Sequence, residues 1–171
     1  ADRTLQAMLG ADDERMRCAA AEALAGTRDR DALEALVPLL SGEQPSPVAR
    51  AAEAALVAAG EPAIAPLAAA LDAADPSIAW AAAESLGVIG SDKAVAPLVA
   101  KLAGLDAVLR DYIVGALGAI GDVRALPDLV LAFGGHPEYH NEQPILRAIL
   151  LFGRRAVRTL VWTARIRDRI L

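Results

Sequence analysis

The segment Pro76–Asp106 reads PSIAWAAAESLGVIGSDKAVAPLVAKLAGLD, and the next segment, Ala107–Pro137, reads AVLRDYIVGALGAIGDVRALPDLVLAFGGHP. Both carry the skeleton L-G-x-I-G-x-x-x-A-x-x-x-L, and its interval of 31 residues extends in both directions. Ala32, Ala63, Ala94, Ala125 and Ala156 recur at that interval, as do Leu36, Leu67, Leu98, Leu129 and Leu160. Glu22, Glu53 and Glu84 keep it too. A fixed period of this length marks stacked supersecondary units. Five units fit, over residues 14–44, 45–75, 76–106, 107–137 and 138–171, with 1–13 as an N-terminal cap.

Each unit reads as two helices. In the third unit Ile78, Ala82, Ser85, Leu86 and Ile89 fall on one stripe of a helix, the side to be buried. The corresponding residues are Met16, Ala20, Ala23 and Leu24 in the first unit, Val48, Ala52, Ala55 and Leu56 in the second, and Leu109, Ile113, Ala116 and Leu117 in the fourth. Gly90 and Gly121 are placed to stop these helices in a left-handed cap. Asp92 and Asp122 are expected to cap the second helix, which tolerates Pro97 or Pro127 in its first turn because early N–H groups lack partners there. The second helix of the third unit buries Ala94, Val95, Leu98, Val99 and Leu102. Pro38 lies well inside its helix and should bend or break it. Units this small cannot cover two apolar faces alone, so they must stack and share a core. The predicted fold is all-α, a right-handed α-solenoid (α/α superhelix) of about five two-helix repeats.

Composition agrees. The chain has 171 residues, 55% hydrophobic but only 4% aromatic, so its apolar content is carried by Ala, Leu, Val and Ile. Alanine favours helix because it loses no side-chain entropy there. The apolar surface is ample for folding, which argues against disorder, and Cys18 alone excludes a disulfide scaffold. Glu61, Glu84, Arg110, Asp122, Arg147 and the Arg154–Arg155 pair interrupt every apolar stretch before 18 residues, so no transmembrane segment is expected. The first ten residues lack the pattern of a signal peptide. A cytoplasmic protein is expected, and the start without Met suggests a module of a longer chain or larger complex.

The pattern V-R-x-x-A-A-x-A-L-G-x-I-G-D-x-x-A-V-x-P-L, matched best at Met16–Leu24, Ile78–Leu98 and Leu109–Leu129, resembles the HEAT-like repeats named after phycobilisome lyases. The resemblance covers essentially the whole chain. The family arginine after the first anchor stands at Arg17 and Arg110 but gives way to Ala49 and Ala79, and Asn141 replaces an anchor in the divergent fifth unit. The repeat implies a scaffold and leaves function open, because one fold hosts many activities.

Enzymes of this repeat class offer templates that the residues do not meet. The iron-dependent deoxyhypusine hydroxylases carry His-Glu pairs in their first helices, where this chain has Cys18-Ala19, Arg50-Ala51, Trp80-Ala81 and Asp111-Tyr112. His136 and His140 flank Pro137 in a loop without a Cys ligand nearby, so no metal is expected. None of Ser41, Ser46, Ser77, Ser85 and Ser91 sits in a G-x-S-x-G elbow, and there is no phosphate-binding loop. Cys18, near Arg15 and Arg17, reads as a spectator thiol. Phycobilin lyases act with partner subunits to guide a tetrapyrrole onto another protein's cysteine, but nothing in the sequence singles out a pigment pocket. No cofactor is expected, and the chain reads as non-enzymatic.

Binding remains. Two and six residues after each anchor, side chains point away from the core stripe. Stacking aligns them as a ladder: Cys18 and Glu22, Arg50 and Ala54, an exposed Trp80 with Glu84, Asp111 and Gly115, then Gln143 and Arg147, with Tyr112 at its edge. Aromatic and Arg residues are common binding anchors, so Glu22, Arg50, Trp80, Glu84, Asp111, Tyr112 and Arg147 are candidates for gripping a partner protein. The alternative is that Trp80 packs between repeats and the charges are simply solvated. Charge is uneven: residues 1–140 hold 10 Lys+Arg against 20 Asp+Glu, whereas 141–171 hold 7 Arg and 2 acids. Arg154, Arg158, Arg165 and Arg169 share one side of a last helix, beside Trp162. That basic strip suits an acidic protein, an anionic lipid surface or a phosphate backbone, or the acidic body of the same chain. Nucleic acid is not the expected partner, because most of the body is acidic.

Overall fold

Several helices start where a side chain can accept an N–H group that the first turn leaves free. The computed structural model describes residues 3–42, 46–102, 107–129 and 152. A short α1 (Arg3–Met8) leads to α2 (Glu14–Ala23), and the Asp13 carboxylate accepts the Arg15 N–H at 2.8 Å. Next comes α3 (Arg30–Leu36), capped by Asp29, and then α4 (Pro47–Ala59), capped by Ser46 with Pro47 in its first turn. After α5 (Ile64–Ala70), Asp75 caps α6 (Pro76–Ile89) by accepting the Ser77 N–H at 2.9 Å. Then follow α7 (Val95–Lys101) and α8 (Ala107–Ile120), and residues 126–129 begin one more helix. No strand occurs among the described residues.

The ends of the long helices follow the sequence. Gly90 (φ 68°) and Gly121 (φ 70°) adopt the left-handed conformation that a side chain would resist, and their N–H groups return to the Leu86 and Leu117 carbonyls. A 3-10 turn then opens the second helix of three successive units, over Glu61–Ala63, Asp92–Ala94 and Val123–Ala125. Asp122 caps the last of these, its carboxylate accepting the Arg124 N–H at 2.9 Å. In the preceding unit the cap is Ser91, which accepts the Lys93 N–H, and Asp92 lies inside the turn. The expectation for Asp92 was therefore one residue late, because the 3-10 turn begins immediately after Ser91. Pro38 acts as expected: α3 stops at Leu36, and Val37–Leu40 continues as a 3-10 turn.

Packing shows why no unit stands alone. The first helices α2, α4, α6 and α8 lie side by side in sequence, and each second helix packs against the first helix of the following unit, α3 on α4, α5 on α6 and α7 on α8. Ala32, Ala63, Ala94 and Ala125 are all buried, as are Leu36, Leu67, Leu98 and Leu129, so the 31-residue recurrence is the core itself. Phe152 joins the same cluster. The structure is an all-helical solenoid. The first unit departs from its expected stripe: Met16 is 43% exposed and Ala23 is exposed, and α2 buries Ala20 and Ala21, with Leu24 behind them. Only the six-residue α1 covers that end, so the outer part of the stripe has no neighbour. Apart from Phe152, the fifth unit, with Asn141, Ala156 and Leu160, lies outside the described residues.

The tightest helix crossing is α6 on α8. A Cβ added to Gly87 would lie 2.8 Å from the Ala116 Cα and 3.0 Å from its Cβ. Two residues before Gly87, Ser85 is fully buried and its hydroxyl has no hydrogen-bond partner. Gly115, on the outer side of α8, meets nothing within 4 Å of an added Cβ. Three stability outcomes are expected from urea unfolding. Gly87→Ala destabilises by about 1–3 kcal/mol, because the two helices must separate. Gly115→Ala stabilises by up to about 1 kcal/mol through helix propensity alone. Ser85→Ala stabilises by about 1 kcal/mol, since it removes a buried polar group that gains no bond.

Candidate partner-binding face

Because Gly87 lets α6 and α8 approach closely, the side chains flanking that crossing meet across it. Trp80 of α6 and Tyr112 of α8 stack with ring centroids 5.9 Å apart and planes 10° from parallel. Such offset pairs add about 0.5–1.5 kcal/mol beyond the area they bury. Trp80 is half-buried and packs against the core, so of the two readings open in the sequence the packed one fits: it bridges neighbouring repeats, and its Nε1 has no hydrogen-bond partner. Tyr112 remains 38% exposed.

Beside this pair runs an open groove of about 430 Å³, lined by Glu84, Gly87 and Val88 of α6 and by Asp111, Tyr112, Gly115, Ala116 and Ala119 of α8. Its floor is made of small residues, and Val88 on its rim is 63% exposed. Among the described residues the lining holds two carboxylates and no Lys or Arg. Thus four of the candidate residues, Trp80, Glu84, Asp111 and Tyr112, gather around one crossing. Glu22 belongs to a separate groove between α2 and α4, which it lines with Asp13, Glu14, Arg15, Cys18, Ala19 and Pro47. Arg50 is exposed on α4 and lines neither groove. Arg147, the strip Arg154, Arg158, Arg165 and Arg169, and the histidines His136 and His140 lie outside the described residues.

Glu53 is a residue that the ladder rule missed. Half-buried on α4, its carboxyl is held above the usual range, first by burial and then by the charge of Glu84. The signal was present in the 31-residue spacing of Glu22, Glu53 and Glu84, but counting from Val48 pointed to Ala54 instead. Val48 is the buried equivalent of Ala79 and not of Ile78, so the count in that unit ran one residue long.

Elsewhere, ion pairs join successive units at the base of the second helices. The Lys93 Nζ lies 2.5 Å from Glu61, and Arg124 reaches Asp92 at 2.9 Å as well as its neighbour Asp122. The Arg124 guanidinium holds the Asp122 carboxyl below its usual range. All are surface pairs, worth no more than about 1 kcal/mol each. Arg17 donates to the Ala11 and Asp12 carbonyls at 2.6 and 2.9 Å, tying the connection between α1 and α2 to α2, and its repeat partner Arg110 is buried. Among the described residues no group of three His, Cys, Asp or Glu side chains is placed to hold a metal, and no helix is long and apolar enough to cross a membrane. Since the raised Glu53 carboxyl favours its neutral form in the folded chain, its ionisation costs stability as pH rises through the folded pKa. Glu53→Gln is therefore expected to stabilise the protein at pH 7.5, by less than about 1 kcal/mol at this solvated site. That gain should vanish towards pH 4 in matched urea titrations, where wild-type Glu53 is increasingly neutral.

Comparison with known proteins agrees with this architecture. A model of HEAT repeats matches residues 2–57 and 64–140. In solved structures the chain is similar to the complex of CpcE and CpcF of phycocyanin lyase from Nostoc sp. PCC7120, with a TM-score of 0.56 and 26% identity over 92% of this chain. The chain spans 66% of that protein's length. It also shares its fold with an engineered protein, at a TM-score of 0.51 and 20% identity, covering 96% of this chain and 85% of that one. No curated protein matches. Serial helical pairs at a constant period, small residues at their crossings and the repeat match together place the chain in the HEAT-repeat family.

Proposed function

We propose that the chain is a non-enzymatic scaffold that binds a partner protein through the outward side chains of its first helices. The observation that carries this reading is the α6–α8 crossing. There an aromatic pair, two carboxylates and an exposed valine surround an open groove on two tightly packed helices. Rigid elements that present an aromatic anchor and an unfilled apolar surface are what a protein interface needs at its centre. Further support comes from the phycocyanin lyase neighbour, which is itself a complex of two proteins. That neighbour also favours a second reading, a lyase-like subunit that acts on pigment together with a partner. Stoichiometric pigment on the purified protein would favour it.

The scaffold reading is tested by affinity capture from the source cells with quantitative mass spectrometry, comparing wild type with Tyr112→Ala. An anchor of this kind contributes about 2 kcal/mol or more. The specific partner should therefore be recovered at least tenfold less with the variant, while circular dichroism stays helical. Undiminished recovery with Tyr112→Ala would remove this face as the binding surface.

A further inference from the structure

We propose that the α6–α8 groove receives a cationic amphipathic helix of the partner protein, with a Lys or Arg side chain placed between Glu84 and Asp111 and an apolar face laid over Val88, Tyr112 and Ala119. The inference rests on the scaffold reading and adds the chemistry of the partner.

Three features select this occupant. The first is charge: among the described residues the groove is lined by Glu84 and Asp111 with no Lys or Arg beside them, and Glu53 extends the negative row on the neighbouring helix. A partner bearing positive charge relieves this repulsion, and an anionic one increases it. Shape is the second. Gly115 and Ala119 lie one helical turn apart on α8, and an added Cβ at Gly115 would meet nothing, so an incoming backbone can approach closely. The third is the absence of any strand among the described residues, which leaves no sheet edge for an extended peptide to join. An apolar groove between helices instead suits a helix that presents anchors at i, i+3, i+4 and i+7.

The test uses a fluorescein-labelled 18-residue peptide with Leu on one helical face and Lys on the other, and the same peptide with Glu replacing Lys, in fluorescence anisotropy at 50 and 300 mM NaCl. The Lys peptide should bind at least tenfold more tightly than the Glu peptide and weaken as salt rises. A Glu84→Gln, Asp111→Asn double variant should lose at least tenfold in affinity. Gly115→Leu, which fills the groove without changing its charge, should lose as much, whereas Glu61→Gln at the distant ion pair should bind as wild type. Equal affinity for both peptides would overturn the proposal. So would wild-type binding by Gly115→Leu, since it would reduce the effect to diffuse attraction by an acidic protein. Salt-sensitive self-association of the chain, abolished by Gly115→Leu while the Lys peptide fails to bind, would assign the groove to a second copy and likewise overturn it. If Tyr112→Ala abolishes partner recovery but the Gln/Asn double variant does not, the scaffold reading stands and the cationic helix falls.

Discussion

The close approach of α6 to α8, with Gly87 set against Ala116, is the constraint on which the rest of the molecule turns. Helices that share an apolar face must come near enough to exclude water, and side chains at their crossing limit the distance. Here the crossing is almost bare. The interior can therefore be built from alanine and leucine with few aromatic residues, and the layer of first helices remains continuous from one unit to the next. The alanine series gives the second helices the same freedom. Ala32, Ala63, Ala94 and Ala125 are buried where each unit's second helix begins its contact with the layer above.

This packing also determines what is left outside. A first helix wedged between two like neighbours and backed by the second helix of the preceding unit has only one free strip. Residues on that strip gain little from the core, so their identities are free to vary without disturbing the stack. Trp80 and Tyr112 show the two roles meeting. The indole is largely drawn into the interior, yet through its stacking it steadies a phenol ring that stays accessible. An aromatic surface held in place this way pays little ordering entropy when a partner arrives.

Most of the architecture was legible in the sequence because a repeat states each requirement several times. One unit's apolar stripe is ambiguous, but a stripe that returns in unit after unit is not. Glycine caps at Gly90 and Gly121 and the break at Pro38 were readable from local chemistry alone. Errors arose where repetition lapsed. Met16 has no neighbouring unit to cover it, and Asp92 lost its capping role to Ser91 because a one-residue shift in a turn leaves the helical pattern unchanged. The site was harder to read. Glu84, Asp111, Trp80 and Tyr112 could be placed on one face by counting, but their convergence on a groove depends on how closely two helices approach. Glu53 escaped because a single-residue drift of the second unit turned the count onto its neighbour.

The outward series Glu22, Glu53, Glu84 and Gly115 occupies one position per unit, and its last member breaks the acidic pattern at the place where the groove opens. None of these residues belongs to the alanine or leucine series that holds the stack together. Such a surface can be rewritten one rung at a time, each exchange altering the chemistry the face presents while the architecture is inherited unchanged.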